Sequence, residues 1–278
     1  MKFSRGLNTP FCAIVLFLFI FQIHPFASAQ VNVFEMDSIP GQIPENLDIY
    51  LVIGQSNMAG RATIREEEKK SIARAYLFTG NDTTPWVAAT NPLNRYSTTR
   101  KVIRMQRLSP AFSFAQSMTA KNPDKEIGLV MNAKGGTKIV QWLPGTELYE
   151  EAIKQTFKAL KYGKLKGVIW HQGEGDWYQV RVDLYLGRLE ILVNAIREEF
   201  ESPSIPFVAG QLYENENRHA FNGMILQLPD FIRYTGVAIS EGTNTIDDTH
   251  FDSGSAIIMG NRYAHEMIKI QLEPAKKK

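Results

Sequence analysis

Five short stretches of the chain are almost continuously apolar: IYLVIG (49–54), IGLVMNA (127–133), GVIWH (167–171), PFVAGQ (206–211) and GVAIS (236–240). A strand with one wet face alternates polar and apolar residues, whereas a strand covered on both faces has no need to. The pattern therefore predicts five buried strands. Between them the apolar period lengthens to that of a helix. SPAFSFAQSMTAK (109–121) opens with Ser109 as an N-cap and Pro110 at the first helical position. Residues 147–162 bring Leu148, Ala152, Ile153, Phe157 and Leu160 towards one face, and 183–200 do the same with Leu184, Leu186, Leu189, Leu192, Ile196 and Phe200. A further helix is predicted over 253–270. Strand and helix in alternation imply a parallel sheet with helices on both sides, a three-layer α/β/α sandwich.

Two stretches do not follow this rhythm. Residues 61–108 are charged and rich in Thr, Asn and Arg, and are expected to form an insertion over the active face, since long ordered loops usually serve function. Residues 30–47, with Pro40, Gly41 and Pro44, read as an extended lead-in. The first 29 residues differ again. Lys2 and Arg5 precede the apolar run FCAIVLFLFIF (11–21), and Ala27-Ser28-Ala29 offers small residues for cleavage, so 1–29 is expected to be a secretory signal peptide with Gln30 as the first mature residue. The run is too short to cross ~30 Å of hydrocarbon at ~1.5 Å per residue. The expected organisation is thus a signal peptide and one domain, 30–278, destined for the periplasm or the medium and free of the membrane after cleavage.

Composition narrows the chemistry. The chain's single cysteine, Cys12, falls inside the apolar run and leaves with it, so disulfides, thiolate nucleophiles and cysteine metal sites are not expected in the mature protein. With 31 basic and 29 acidic residues the net charge is +2, which argues against a nucleic-acid partner. Lys276-Lys277-Lys278 reads as a solvated tail.

In a parallel sheet, ligands bind beyond the carboxyl ends of the strands. The segments that follow the predicted strands are GQSNMAG (54–60), KGGTKIVQW (134–142) and HQGEGDW (171–177), with DDTHFD (247–252) just before the last helix. Ser56 alone reads as readily as a helix N-cap. Its flanking Gly54 and Gly60 permit a tight turn, however, and the helix start supplies free N–H groups. The G-x-S-x-G elbow of the α/β-hydrolases is absent. Gly135 and Gly136 form either a plain turn or a place where backbone N–H groups approach a substrate oxygen. Gln172 has an amide able to donate to an oxyanion, and Glu174 and Asp176 can pair with cations or hold loops. Trp142, Trp170 and Trp177 can stack on sugars or fill the core. Asp247 precedes His250 by three residues, a spacing that lets the carboxylate reach Nδ1 and leaves Nε2 free to take a proton from a serine. His171, His219 and His265 have no comparable partner and read as structural.

In this order, IGQSNMAGR, KGGT, WHQGEGD and DDTHFD resemble the four signature blocks of the sialate O-acetylesterase and acetylxylan esterase group, the carbohydrate esterase family six branch of the SGNH hydrolases. The resemblance spans roughly 48–270. It implies a flavodoxin-like sheet of about five parallel strands and a serine esterase acting on acetylated carbohydrate, with no cofactor and no metal. Position by position it implies Ser56 as nucleophile, His250 as base and Asp247 as orienting acid, with Glu174 as second candidate for the acid. The oxyanion hole would comprise the Ser56 N–H, Gly135, Gly136 and Gln172, which stands where the wider superfamily has asparagine. Gln55, Asn57, Trp142 and Trp177 are assigned to substrate contact. Two alternatives stand beside this reading. One is a metal-dependent hydrolase with Glu174, Asp176, Asp247, Asp248 and His250 as ligands. The other is a non-catalytic carbohydrate-binding protein that uses the tryptophans.

Overall fold

The computed structural model describes Met1 and residues 44–177 and 182–272. The proposed signal peptide with Cys12, the cleavage point at Gln30, most of the lead-in and the terminal lysines lie outside the described residues. The strands are β1 (Leu47–Gly54), β2 (Ala75–Phe78), β3 (Trp86–Ala88), β4 (Ile127–Ala133), β5 (Gly163–His171), β6 (Phe207–Gly210) and β7 (Thr235–Ala238). The helices are α1 (Ser56–Ala59), α2 (Ala111–Lys121), α3 (Glu147–Ala159), α4 (Val182–Glu199), α5 (His219–Ile225), α6 (Leu228–Phe231) and α7 (Ser253–Leu272).

The sheet runs in the order β3-β2-β4-β1-β5-β6-β7. The five strands read from apolar runs occupy five adjacent positions, β4-β1-β5-β6-β7, all parallel. The sheet is wider than the expected five. β2 extends it in parallel on β4, and β3 closes that edge antiparallel to β2. Both extra strands come from the 61–108 segment, so part of that segment is sheet edge and not loop. They are four and three residues long, too short to show a period, and their pairing depends on neighbours far away in sequence.

The alternation of β1 sets the layers. Ile49, Leu51 and Ile53 pack with Leu148, Ala152 and Ile153 of α3 and Leu186, Leu189 and Ile196 of α4. Tyr50 and Val52 face the other way, into Phe114 and Met118 of α2 and Met259, Tyr263 and Met267 of α7. Each fully buried aliphatic or aromatic side chain contributes about 1.5–3 kcal/mol relative to exposure. A helix layer on each face of a parallel sheet is the sandwich expected from the sequence. Among the described residues, no helix is long and apolar enough to cross a membrane.

Candidate active site

The site forms where β1, β4 and β5 end side by side. Gly54 pairs with Ala133 on one side and His171 on the other, which places the turns after all three strands at one edge. Gly54 has φ +134°, and a Cβ there would collide with the His171 backbone carbonyl, so only glycine ends this strand. The chain then turns at once into α1, with Ser56 as its first residue.

His250 approaches from the C-terminal side of the sheet on a tight turn. Thr245 and Phe251 form an isolated antiparallel bridge, and the Ile246 N–H donates to His250 O (2.8 Å). Asp248, at φ +61°, turns the corner. Inside this turn Asp247 holds the histidine twice: Oδ1 accepts from the His250 backbone N–H (2.8 Å) and Oδ2 lies 2.6 Å from ring Nδ1. The Thr249 N–H also reaches Oδ1 (3.2 Å). Burial acts to raise the Asp247 pKa, but the hydrogen bonds from the His250 ring and backbone and from Thr249 outweigh it, and the carboxyl titrates below the usual aspartate value. An ionised Asp247 accepts from Nδ1–H, which leaves Nε2 as an acceptor. Nε2 lies 2.9 Å from Ser56 Oγ. Serine, histidine and aspartate therefore form one continuous hydrogen-bonded chain.

Asn57 ties the two halves together. Its Oδ1 accepts from the Phe251 N–H (3.0 Å), and its Nδ2 donates to Thr249 O (3.1 Å) and Glu174 Oε1 (2.6 Å). The residue next to Ser56 thus grips the residues on either side of His250. On the opposite side Arg218 donates to Asp248 O (2.6 Å) and Thr249 Oγ1 (3.1 Å). Gly135 comes up against the serine: a Cβ there would stand 3.3 Å from Ser56 Cβ. The close approach of this backbone to Ser56 is geometry that an oxyanion site would use.

Residues 46–269 match the family model for carbohydrate esterase, sialic acid-specific acetylesterase. The chain belongs to this carbohydrate esterase family. A probable carbohydrate esterase of Arabidopsis thaliana is 29% identical over 186 residues, 61% of this chain and 70% of the relative. The crystal structure of that plant protein superposes with a TM-score of 0.72 at 24% identity, covering 81% of this chain and 99% of its own. The structure of NanS superposes with a TM-score of 0.66 at 16% identity, over 82% and 98% of the two chains. These structural likenesses bear on the fold, which is that of the SGNH hydrolases.

Against this carbohydrate esterase fold, the structure separates the remaining residues singled out in the sequence. Glu174 does not touch His250. Its side chain is 4% exposed, its Oε1 meets Asn57 Nδ2 and lies 3.4 Å from His171 Nε2, and its pKa is lowered because the His171 and Asn57 contacts overcome burial, which acts to raise it. Gln172 is not placed as an oxyanion donor. It is 1% exposed, and its two amide hydrogens face three protein acceptors: Gln55 Oε1 (3.1 Å), Thr137 O (3.0 Å) and Asp176 Oδ2 (2.6 Å). Asn57 is likewise committed to protein partners, whereas Gln55 Nε2 has no such partner among the described residues. Trp142 is fully buried, edge-on to Trp170 at 5.4 Å with its Nε1–H on Thr137 Oγ1, so it offers no face to a sugar. Trp177 is half-buried against the core.

The carboxylates needed by the metal alternative do not converge. Asp176 accepts from Gln172 and from the Ile139 N–H, Glu174 turns to Asn57, and Asp247 to His250. Among the described residues no group of three such side chains is arranged to hold a metal. What the sequence reading missed is the clamp role of Asn57 and, beside Gly135, Arg61. Their neighbours are distant in sequence, and no local pattern marks them.

Proposed function

We propose that the protein is a secreted carbohydrate O-acetylesterase in which Ser56, His250 and Asp247 form the catalytic triad. The observation that supports this most is the Asp247–His250–Ser56 chain, with links of 2.6 and 2.9 Å, at the strand ends of a carbohydrate esterase fold. Export rests on the sequence of residues 1–29. The acetylated sugar is taken to be one carried by a polysaccharide or a sialic acid, with Gln55 and Trp177 at its edge.

Ser56 Oγ attacks the acetyl carbonyl carbon as His250 Nε2 takes its proton. Asp247, held on Nδ1, fixes the tautomer and stabilises the imidazolium. The carbonyl π pair moves onto oxygen, and that oxyanion is held by the backbone N–H groups of Ser56 and of the Gly135-Gly136 turn, each such donor typically lowering the barrier by about 3 kcal/mol. Collapse breaks the bond to the sugar oxygen, which leaves with the proton from His250. Water, deprotonated by His250, then attacks the acetyl-enzyme and frees acetate and Ser56. The account requires no cofactor.

The test is acetate release from acetylated xylan, acetylated mannan and O-acetylated sialosides by the exported protein and by Ser56→Ala. Release by the native protein that disappears in the folded variant supports the reading. A Ser56→Ala protein with native turnover would remove the serine from the mechanism.

A further inference from the structure

Arg61 follows the glycine that ends α1, and its guanidinium is fixed at one edge and free at the other. Nη1 donates to Gly60 O (2.7 Å) and to Met105 O (2.8 Å). Among the described residues Nη2 has no hydrogen bond and the guanidinium has no carboxylate partner. Its neighbourhood makes no compensation: burial draws the guanidinium pKa down, and the nearby charge of Arg107 acts in the same direction. A desolvated cation with no counter-ion is costly unless it meets negative charge at some stage of function.

The free edge lies beside the reacting centre. The point at which a Cβ on Gly135 would stand is 2.5 Å from Arg61 Nη2 and 3.3 Å from Ser56 Cβ. Guanidinium, oxyanion glycine and nucleophile thus crowd around one spot. Meanwhile the side chain expected to be the third oxyanion donor, Gln172, has its amide hydrogens engaged inside the protein. The Asn57 amide hydrogens are engaged as well.

We propose that Arg61 is a catalytic residue whose Nη2–H group, in place of the Gln172 amide, donates to the oxyanion formed when Ser56 attacks the acetyl ester. This assignment rests on the serine-esterase reading above. When the Ser56 Oγ–carbon bond forms, the π pair moves to the carbonyl oxygen and meets a fixed positive charge. When that pair reforms the C=O bond, the sugar oxygen departs and takes the proton from His250. Gly135 is needed here because any larger residue would occupy the space of the guanidinium edge.

The acyl group and not the sugar is what Arg61 contacts, so its loss must be felt whatever the alcohol. The experiment compares Arg61→Gln and Arg61→Lys with the native enzyme on 4-nitrophenyl acetate and on an acetylated xylooligosaccharide, with circular dichroism for each protein. Affinity for an alkyl boronic acid, which forms a tetrahedral anion on the serine, is measured alongside. Arg61→Gln is expected to lower kcat about 10²-fold on both substrates with little change in KM, in the range seen for loss of one oxyanion donor. Its boronate affinity should fall in parallel, and Arg61→Lys, which retains charge, should recover part of both. Should Arg61→Gln not fold, the lysine variant carries the test: an equal kcat loss on the two substrates together with weakened boronate binding supports the assignment. A loss confined to the oligosaccharide and expressed in KM would place Arg61 on the sugar and overturn it. Native kcat in either variant would overturn it also, with the esterase reading intact. A native protein that releases no acetate from any ester removes both.

Discussion

Two polar clusters stand at the same edge of the sheet, and from sequence both look like chemistry. Asp247-Asp248-Thr249-His250 is a surface turn. His250 keeps one ring nitrogen on Asp247 and presents the other to Ser56, and its side chain remains partly open to solvent. His171-Gln172-Gly173-Glu174-Gly175-Asp176 is an interior brace. Gln172 spans Gln55, Thr137 and Asp176, Tyr185 O–H donates to its Oε1 (2.8 Å), and Glu174 holds Asn57. The difference lies in what each side chain has left over. The Gln172 amide hydrogens are all engaged inside the protein and have nothing to offer a transition state, whereas His250 and Ser56 have reactive atoms facing each other. Density of polar residues does not identify a catalytic group; an unspent donor or acceptor at the reacting centre does.

The contrast can be pressed by experiment. The largest effect is expected at Ser56, which the surface cluster faces: Ser56→Ala should lower kcat by about 10⁶-fold, as loss of a triad nucleophile does, with an unchanged thermal transition, read by acetate release and calorimetry. The brace should respond in the opposite sense. Gln172→Ala would leave Asp176 with the Ile139 N–H and Tyr185 with the backbone carbonyl of residue 172, but would remove the amide that joins Gln55, Thr137 and Asp176, and is expected to cost about 3 kcal/mol in chemical denaturation while the protein that remains folded keeps most of its kcat. A Gln172→Ala enzyme that stays stable but loses turnover would erase the distinction drawn here. A smaller effect is expected from Trp142→Phe, which removes the Nε1–H bond to Thr137 and part of the ring's burial, about 1–2 kcal/mol, with no rise in KM for an acetylated glycan.

The smallest expected effect is electrostatic. The folded-state pKa of Asp247 is depressed, so the stabilisation from its contacts is present above the unfolded aspartate value and is lost as pH falls through the lower folded value. A carboxyl-carbon NMR titration should show Asp247 with a midpoint below that of an ordinary aspartate. Asp247 lies at a half-exposed surface turn, so the accompanying change in overall stability should be slight.

What was legible in the sequence follows the same physical line. The five central strands announce themselves because burial on both faces demands continuous apolar residues. Ser56, Asp247 and His250 are legible because a strand-end turn and an i,i+3 reach are local geometry. β2 and β3 are not, because three or four residues carry no period and their partners lie elsewhere in the chain. The fates of Gln172, Asn57 and Trp142 were unreadable for a related reason. Whether an amide or an indole faces cleft or core is decided by residues such as Thr137, Asp176 and Thr249, which arrive from other strand ends.

Central to the proposed triad is which carboxylate orients His250. The direct measurement is kcat for acetate release by Asp247→Asn beside Glu174→Gln, each shown to be folded by circular dichroism. With the 2.6 Å contact on Nδ1 carried by Asp247, Asp247→Asn should fall by as much as ~10⁴-fold through loss of the correct tautomer, and Glu174→Gln by a much smaller factor, since it reaches the site only through Asn57. A Glu174→Gln enzyme as inactive as Ser56→Ala, beside an Asp247→Asn enzyme that keeps most of its turnover, would contradict the account.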